Sequence, residues 1–391
     1  MSQTLSQRDL RSHNQLTVLR CIRDHGPLSR AQLSDRLDIT RTGVGRIAAS
    51  LIEEEVLTEV HSTPAGAMGR PHVLLDFSPT RWAAVGLDMR VDRTRVAAAD
   101  LRGRILAEET FDFVVPPSPE AAAQALSCAY ERVVSRIGHT VRGVAVAIPG
   151  QFSDDRRTVV SSRFLGWQDA PFADLFEARL GRASVAYRQV PECAALANSR
   201  DPAVGEVDRL LHLQVGLGTG ISLTRGRDLE ARLPAGWGST GHILLGDLTD
   251  RCRCGRRGCL EASAGFAAFR RATDDCGVPF GDGPHAQQEY AAAIGRLAVS
   301  DTRARRAVER LADVLARALT VLIDLMGPQA VTVGGYPLAI GAPLVASLDR
   351  ALGEWFRGDS PLRWTSLGDE ASSQGAILVA VDQALSGGRV P

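Results

Sequence analysis

Cys252, Cys254 and Cys259 fall within eight positions of "DRCRCGRRGCLE", in a chain that otherwise uses cysteine sparingly. One and four residues separate them, and Gly255 and Gly258 free the backbone to fold three sulfurs around one point. Three thiolates need a fourth donor, and His242 stands ten residues upstream on a Gly-His turn. Soft sulfur with one imidazole in a closed four-donor shell selects Zn²⁺ and leaves no open position for catalysis. The spacing therefore predicts a structural zinc site at His242, Cys252, Cys254 and Cys259. Two other uses compete. A redox pair would leave one of the three thiols over, and a DNA-gripping finger is suggested by the crowding of Arg251, Arg253, Arg256 and Arg257. The remaining cysteines, Cys21, Cys128, Cys193 and Cys276, are scattered singly, and a chain of this size does not need disulfides, so reduced thiols are the default.

Such a loop has to be carried by a larger body. The 391 residues suggest two or three domains, and with 45% apolar residues but no apolar run of membrane length the chain reads as soluble and globular. The start, "MSQTLSQRDLRSHNQ", is polar and carries Asp9, which suits neither a secretory signal nor a transit peptide, so a cytoplasmic location is expected. The 45 basic residues, all arginine, balance 45 acidic ones, so only local charge can point to a partner. From Trp82 the pattern is β-rich. Residues 82–113 read as three strands, 121–137 as a helix, 141–150 as a buried strand, and 209–226 as a hairpin with Gly216, Gly218 and Gly220 at its turn. A long helix over 302–328 precedes the strand "AVTVGG". Strand triplets followed by helices, twice over, predict a two-lobed α/β body with a cleft between the lobes.

The first eighty residues follow a different grammar. Leu16, Leu19 and Ile22 keep helical spacing up to the turn "HGP"; Ser29 can cap a second helix with Leu33 and Leu37 on one face. Thr40 can cap a third, with Val44, Ile47 and Leu51 inward and Arg41, Thr42 and Arg46 outward. This is a helix-turn-helix in outline. "VLTEVHSTPAGAMGRPHVLLDF" adds a strand, a Gly/Pro-rich tip with Arg70, and a strand, which is the wing of a winged helix. Residues 1–52 hold eight arginines against four acids. Arg30, Arg41, Thr42, Arg46 and Arg70 are the candidate DNA contacts, Arg70 in a minor groove or on a phosphate. The bland alternative is a small helical domain whose arginines are merely solvated.

The order of "GLD", "AIPG", "FLGW", "GLGTG", "GWGSTGH", "CRCGRRGCLE", "VTVGG" and "SQGAILVAV" resembles the ROK family of repressors, open reading frames and sugar kinases. The resemblance covers essentially the whole chain, since ROK repressors carry an N-terminal winged helix whose wing ends in "GRP". It implies an α/β fold with an N-terminal winged helix-turn-helix over residues 1–79, then an actin-like, sugar-kinase-like body. The first lobe would comprise 80–198 plus 370–391, the second 199–369 with the zinc loop. It also implies specific losses. The catalytic Asp of the family's "ND" pair falls on Val190, after Gln189, and valine accepts no proton. The first phosphate loop, "DxGGT" in the kinases, reads "DMRVD": Asp88 is kept, but Arg90, Val91 and Asp92 fill the space phosphates would use. The family's sugar contacts correspond to Arg163, Gln189 with Val190, Ser239, His242 and Glu261, of which only the last two keep the family's residue. Glu261 has a second reading as a helix-start carboxylate.

The expected function is therefore a DNA-binding transcriptional regulator, more specifically a repressor and not an enzyme. It would act as a homodimer or homotetramer on double-stranded operator DNA, with structural Zn²⁺ and no membrane association. Its cleft would take a small-molecule effector, a sugar derivative or an anionic metabolite drawn by Arg163 and Arg90, or else be empty with these arginines in internal ion pairs. The rival readings are an active ATP-dependent sugar kinase with a fused DNA-binding module and a constitutive architectural DNA binder.

Overall fold

The computed structural model describes residues 7–62, 72–90, 93–113, 115–181, 184–230, 240–283, 285–355 and 360–386. Helices α1 (Gln7–His25), α2 (Arg30–Leu37) and α3 (Arg41–Glu53) precede the antiparallel pair β1 (Leu57–Ser62) and β2 (His72–Phe77). α1 begins about two turns before the run of Leu16, Leu19 and Ile22. The Ser29 hydroxyl accepts from the Gln32 amide and the Gln32 side chain returns to the Ser29 amide, a reciprocal cap that starts α2; Thr40 accepts from the Gly43 amide to start α3. Val18, Ile22, Leu33, Val44, Ala48 and Leu51 form the buried side of these helices.

The body contains two principal sheets. In the first, β3 (Trp82–Met89), β4 (Thr94–Asp100) and β5 (Ile105–Phe111) are antiparallel, while β6 (Thr140–Ile148) and β10 (Ala186–Gln189) add in parallel, giving the order β10-β6-β3-β4-β5. α4 (Pro119–Val134) and α5 (Phe172–Leu180) cover one face. A small sheet of β7 (Gln151–Phe152), β8 (Val159–Ser162) and β9 (Trp167–Ala170) stands beside it. α6 (Val190–Asn198) leads to the second sheet, where β11 (Arg209–Val215) lies between β12 (Thr219–Arg225) and the parallel β14 (Ala330–Gly335), with β13 (Asp228–Leu229) outside β12. Around it pack α7 (Leu260–Ala264), α8 (Phe266–Thr273), α9 (Ala286–Leu297), α10 (Thr302–Met326), α11 (Pro337–Ile340) and α12 (Ala342–Trp355). No helix among the described residues is long and apolar enough to cross a membrane.

The last helix, α13 (Ala371–Leu385), crosses back to the first sheet. It lies so close that a Cβ on Gly86 would meet the Ile377 amide at 2.6 Å and one on Gly143 the Ala380 carbonyl at 2.0 Å; Gly375 in turn admits the Cys193 carbonyl of α6. Side chains of α13 share one core with Ala84, Ala145 and Ala147 of the sheet and with Val18 and Ile22 of α1, so the winged helix is packed onto the body.

Under the second sheet His212 is fully buried. Its Nδ1 lies 3.0 Å from both Asn198 Nδ2 and Thr332 Oγ1, and its Nε2 donates to Gln214 Oε1 at 3.0 Å. Burial lowers its pKa to about 4, so the native ring stays neutral where the unfolded chain's histidine, near 6.5, takes a proton. Stability should therefore fall as pH drops from about 6.5 to about 4 and level off below, a loss approaching roughly 3 kcal/mol from this group. Denaturant titrations from pH 7 to 4 check it: His212→Gln should flatten the slope by up to one proton, and an unchanged slope would refute the assignment.

Candidate ligand cleft and metal centre

The cleft between the lobes is built from the ends of elements. Gly150, Gln151 and Ser161 to Phe164 come from the first lobe, Gln189 to Pro191 from the start of α6, Gln214 and Gly216 to Gly220 from the β11–β12 turn, and His242 and Glu261 from the cysteine loop. The half-open cleft holds about 240 Å³, small beside the roughly 300–1,000 Å³ of pockets that take drug-sized ligands. Of the residues aligned with sugar contacts, Arg163, Gln189, His242 and Glu261 do meet here; Ser239 lies outside the described residues. Arg163 is exposed and makes no ion pair among the described residues, its Nη1 donating to His242 Nε2 at 3.3 Å. Glu261 accepts from the Thr219 amide at 3.2 Å, and burial raises its pKa despite that bond. Its helix has only five residues, too short for the macrodipole to explain it, so the position on the cleft floor is the informative one.

The position that the family resemblance aligns with the catalytic base is apolar. Val190 is buried at the first turn of α6, and the nearest carboxylate, Glu192, is committed elsewhere: it accepts two bonds of 2.7 Å from Arg156 and one of 2.8 Å from the Gln189 amide. The altered phosphate loop is also engaged. Arg90 donates to both oxygens of Asp369 at 2.8 and 3.1 Å and lies 3.6 Å from Asp88, so for this arginine the internal ion pair, the second of the two alternatives left open by the sequence, is the one found. Asp88 itself accepts from the Ser372 and Ser373 hydroxyls. Val91 and Asp92 lie outside the described residues. Even the intact "GLGTG" turn is covered, because Gly218 carries the Phe164 ring at a distance where a Cβ would meet Cε2 at 2.7 Å. Asp369 carried no signal in the sequence, and Phe164, though it opens the "FLGW" motif, gave no sign that it covers Gly218; each acts through a partner remote in the chain.

Beside the cleft the donor atoms of His242, Cys252, Cys254 and Cys259 all lie within 4.8 Å of one another. Cys254 Sγ and Cys259 Sγ are 3.5 Å apart, and Cys252 Sγ is 3.4 Å from His242 Nδ1. Sulfurs on one tetrahedral ion at about 2.3 Å would stand about 3.8 Å apart, so small adjustments let the four hold one metal. Gly255 and Gly258, at φ +87° and +76°, supply the left-handed turns between the cysteines. Burial, with Arg163 and Arg256 nearby, lowers the His242 pKa and keeps the ring neutral, as a ligand must be. Burial opposes ionisation of Cys254, but the amide and guanidinium of Arg256 and the neighbouring thiols hold its pKa low, whereas burial and those same thiols push Cys259 up. Arg251, Arg253, Arg256 and Arg257 all face solvent.

On the winged helix, Arg41, Thr42 and Arg46 share the exposed side of α3. Arg30 pairs with Glu59 of β1 at 2.7 Å, and Arg70 lies outside the described residues.

A winged helix fused to a two-lobed actin-like body with a Cys₃His loop at the cleft defines a class of sugar-kinase-fold proteins. The ROK family model matches residues 84–383, and the chain belongs to that family. The MarR family model matches residues 12–63. A putative xylose repressor of Caldicellulosiruptor sp. strain Rt8B.4 is 25% identical over 347 residues, 86% of each chain. The kanosamine kinase of Amycolatopsis mediterranei is 31% identical over 302 residues, covering 76% of this chain and 95% of the kinase. Among solved structures, a ROK family transcriptional regulator described as a homologue of the E. coli MLC protein superposes with a TM-score of 0.76 at 21% identity over 97% of both chains. Relatives of both kinds, repressor and kinase, are thus represented.

Proposed function

We propose that this chain is a cytoplasmic transcriptional repressor whose kinase-like body senses a small ligand without phosphorylating it. The observation that carries the reading is a helix-turn-helix with Arg41, Thr42 and Arg46 exposed, joined to a sugar-kinase fold whose base position is the buried Val190. Phosphoryl transfer needs a carboxylate on the attacking hydroxyl and open room for phosphates. Val190 supplies none, Arg90 is clasped to Asp369, and Phe164 covers the second glycine turn. The repressor named for xylose supports the regulatory role; the kanosamine kinase favours the rival reading, an active kinase with a fused DNA-binding module. A coupled ADP-release assay over a sugar panel separates them: no turnover is expected, and turnover with any sugar would overturn the reading.

Operator binding would use α3 in the major groove, Arg30 beside it, and Arg70 of the wing on a minor groove or phosphate, with a homodimer or homotetramer matching a repeated or palindromic site. Zinc suits the soft donor set at His242, Cys252, Cys254 and Cys259, in a closed structural role. A metal held on Nδ1 of His242 fixes the ring proton on Nε2, so the ring offers a donor to the cleft and frees Arg163 from it. With Gln189 and Arg163 where sugar kinases use Asn, this favours an anionic sugar derivative over a free hexose. Calorimetry against sugar acids, sugar phosphates and free sugars tests it: an anion is expected to bind, and silence from every anion would sink the anionic ligand.

A further inference from the structure

Two elements run from the cleft to the winged helix. β12 starts at Thr219 on the cleft floor, where the Thr219 hydroxyl is buried with no hydrogen-bond partner among the described residues, and ends at Arg225; the turn after it carries Arg227. α6 starts at the cleft-lining Val190 and Pro191 and ends at Asn198, shortly before Arg200. Seven strand residues reach about 20 Å and nine helical residues about 14 Å, so both are stiff spacers across the body. At the cleft they touch: a Cβ on Gly220 would stand 2.8 Å from Pro191 Cγ.

At the far end both bring a guanidinium to one residue of α1. Arg227 Nη1 donates to the Asp24 carbonyl at 2.6 Å and lies 3.9 Å from Asp24 Oδ1; Arg200 Nε lies 3.7 Å from the same oxygen. Beside them Arg23, 5% exposed, donates to Asp24 at 2.8 Å and also to Asp382 of α13, with Arg20 Nε 3.8 Å from Asp382. Burial works against the Asp24 charge, but the Arg23 hydrogen bonds and the charges of Arg23, Arg200 and Arg227 hold its pKa below the ordinary range. A partly buried charge network around the nearly buried Arg23 favours few arrangements, since separating one partner leaves a partly desolvated charge.

We propose that Asp24 is the joint at which a change in the spacing of β12 and α6 at the cleft is passed to the winged helix. An occupant seated between Thr219 and Pro191 shifts Arg227 relative to Arg200, and α1 follows the pair that holds it. This deepens the repressor reading and rests on it, naming how the cleft would govern operator affinity.

Gly220→Ala tests the joint without a ligand, because its methyl must push the rigid Pro191 ring away from β12. Two measurements on the full-length protein are made: amide exchange in α1 to α3, and affinity for a duplex that the protein selects from random-sequence DNA. Gly220→Ala should speed exchange in the last turn of α1 and weaken operator binding by about fivefold or more. In an Arg227→Gln background both effects should shrink below about twofold, while Arg227→Lys, which keeps the charge, should preserve them. The proposal is overturned if Gly220→Ala leaves α1 exchange unchanged, or if its effects persist undiminished with Arg227→Gln. Metal content and thermal midpoint confirm that each variant folds. Exchange needs no DNA, so a protein that selects no duplex refutes the repressor reading while the exchange result still decides the joint.

Discussion

Cys259→Ser should strip the protein of its metal, taking content from about one ion per chain to near zero, and should lower the thermal midpoint by roughly 10 °C. The Cys259 thiol is fully buried and faces Cys254 at 3.5 Å, so a hydroxyl there loses a strong ligand and stays desolvated. The loop has little else to hold it. Its own apolar cluster is Cys252, Cys259 and Ala262, and its backbone is pinned by a few bonds such as Cys252 amide to Arg256 carbonyl and Gly246 amide to Gly258 carbonyl, both 2.9 Å. Losing a structural metal belongs with the largest single-residue effects, about 4 kcal/mol or more, and about 1 kcal/mol moves the midpoint of a domain this size by about 2–4 °C. Acid should have the same effect by another route: metal binding needs three thiolates, so affinity should fall as pH drops and the thiols reprotonate, with Cys259, the hardest to ionise, depending most on the ion. Metal analysis of the purified variant with a melting curve is the check; full metal content in Cys259→Ser would remove this residue from the site.

Arg46→Ala should weaken binding to a selected operator by about ten- to a hundredfold at fixed salt, the loss expected when a bidentate base contact of about 1–3 kcal/mol disappears. Arg46 is exposed on α3, opposite the buried Ile47 and Ala48, so removing it touches no core contact and leaves the metal site untouched. Arg41 begins the helix and is also exposed, in place to meet a phosphate. Arg41→Ala should weaken all sequences alike and reduce the slope of log affinity against log salt by about 0.9. Mobility-shift titrations at several salt concentrations separate the two roles, and unchanged binding in both variants would remove α3 from the interface.

Features carried by neighbouring residues were readable from the chain alone. Ser29 with Gln32 and Thr40 with Gly43 are caps closed within three positions, and the cysteine loop closes a donor set within eighteen residues of His242. Strand and helix types followed from hydrophobic patterning, as in the near-continuous buried run of β3 and the helical spacing of Val44, Ile47 and Leu51 in α3. What stayed hidden depends on pairing across the fold. Arg90 meets Asp369 at a separation of 279 positions, and among 45 acidic residues nothing local marks that one as its partner. The sequence left open a free cation or an internal ion pair, and only the assembled fold shows the clasp. Phe164 over Gly218, Glu192 held by Arg156, and His212 under Gly334 are likewise products of packing, invisible until lobes and sheets are assembled.

The position of α13 also sets an order of events during synthesis. Ser372 reaches Asp88 across 284 positions, and Asp382 reaches Arg23 across 359. At about 5–20 residues per second, the ribosome makes α1 roughly twenty to seventy seconds before the helix against which it docks. Until then Ala84, Ala145 and Ala147 lack the α13 side chains that share their core, and the nascent sheet is an apolar surface in need of shielding. The winged helix is thus translated first but gains its docking surface last, so a chain halted before α13 would carry a winged helix without the helix it packs against.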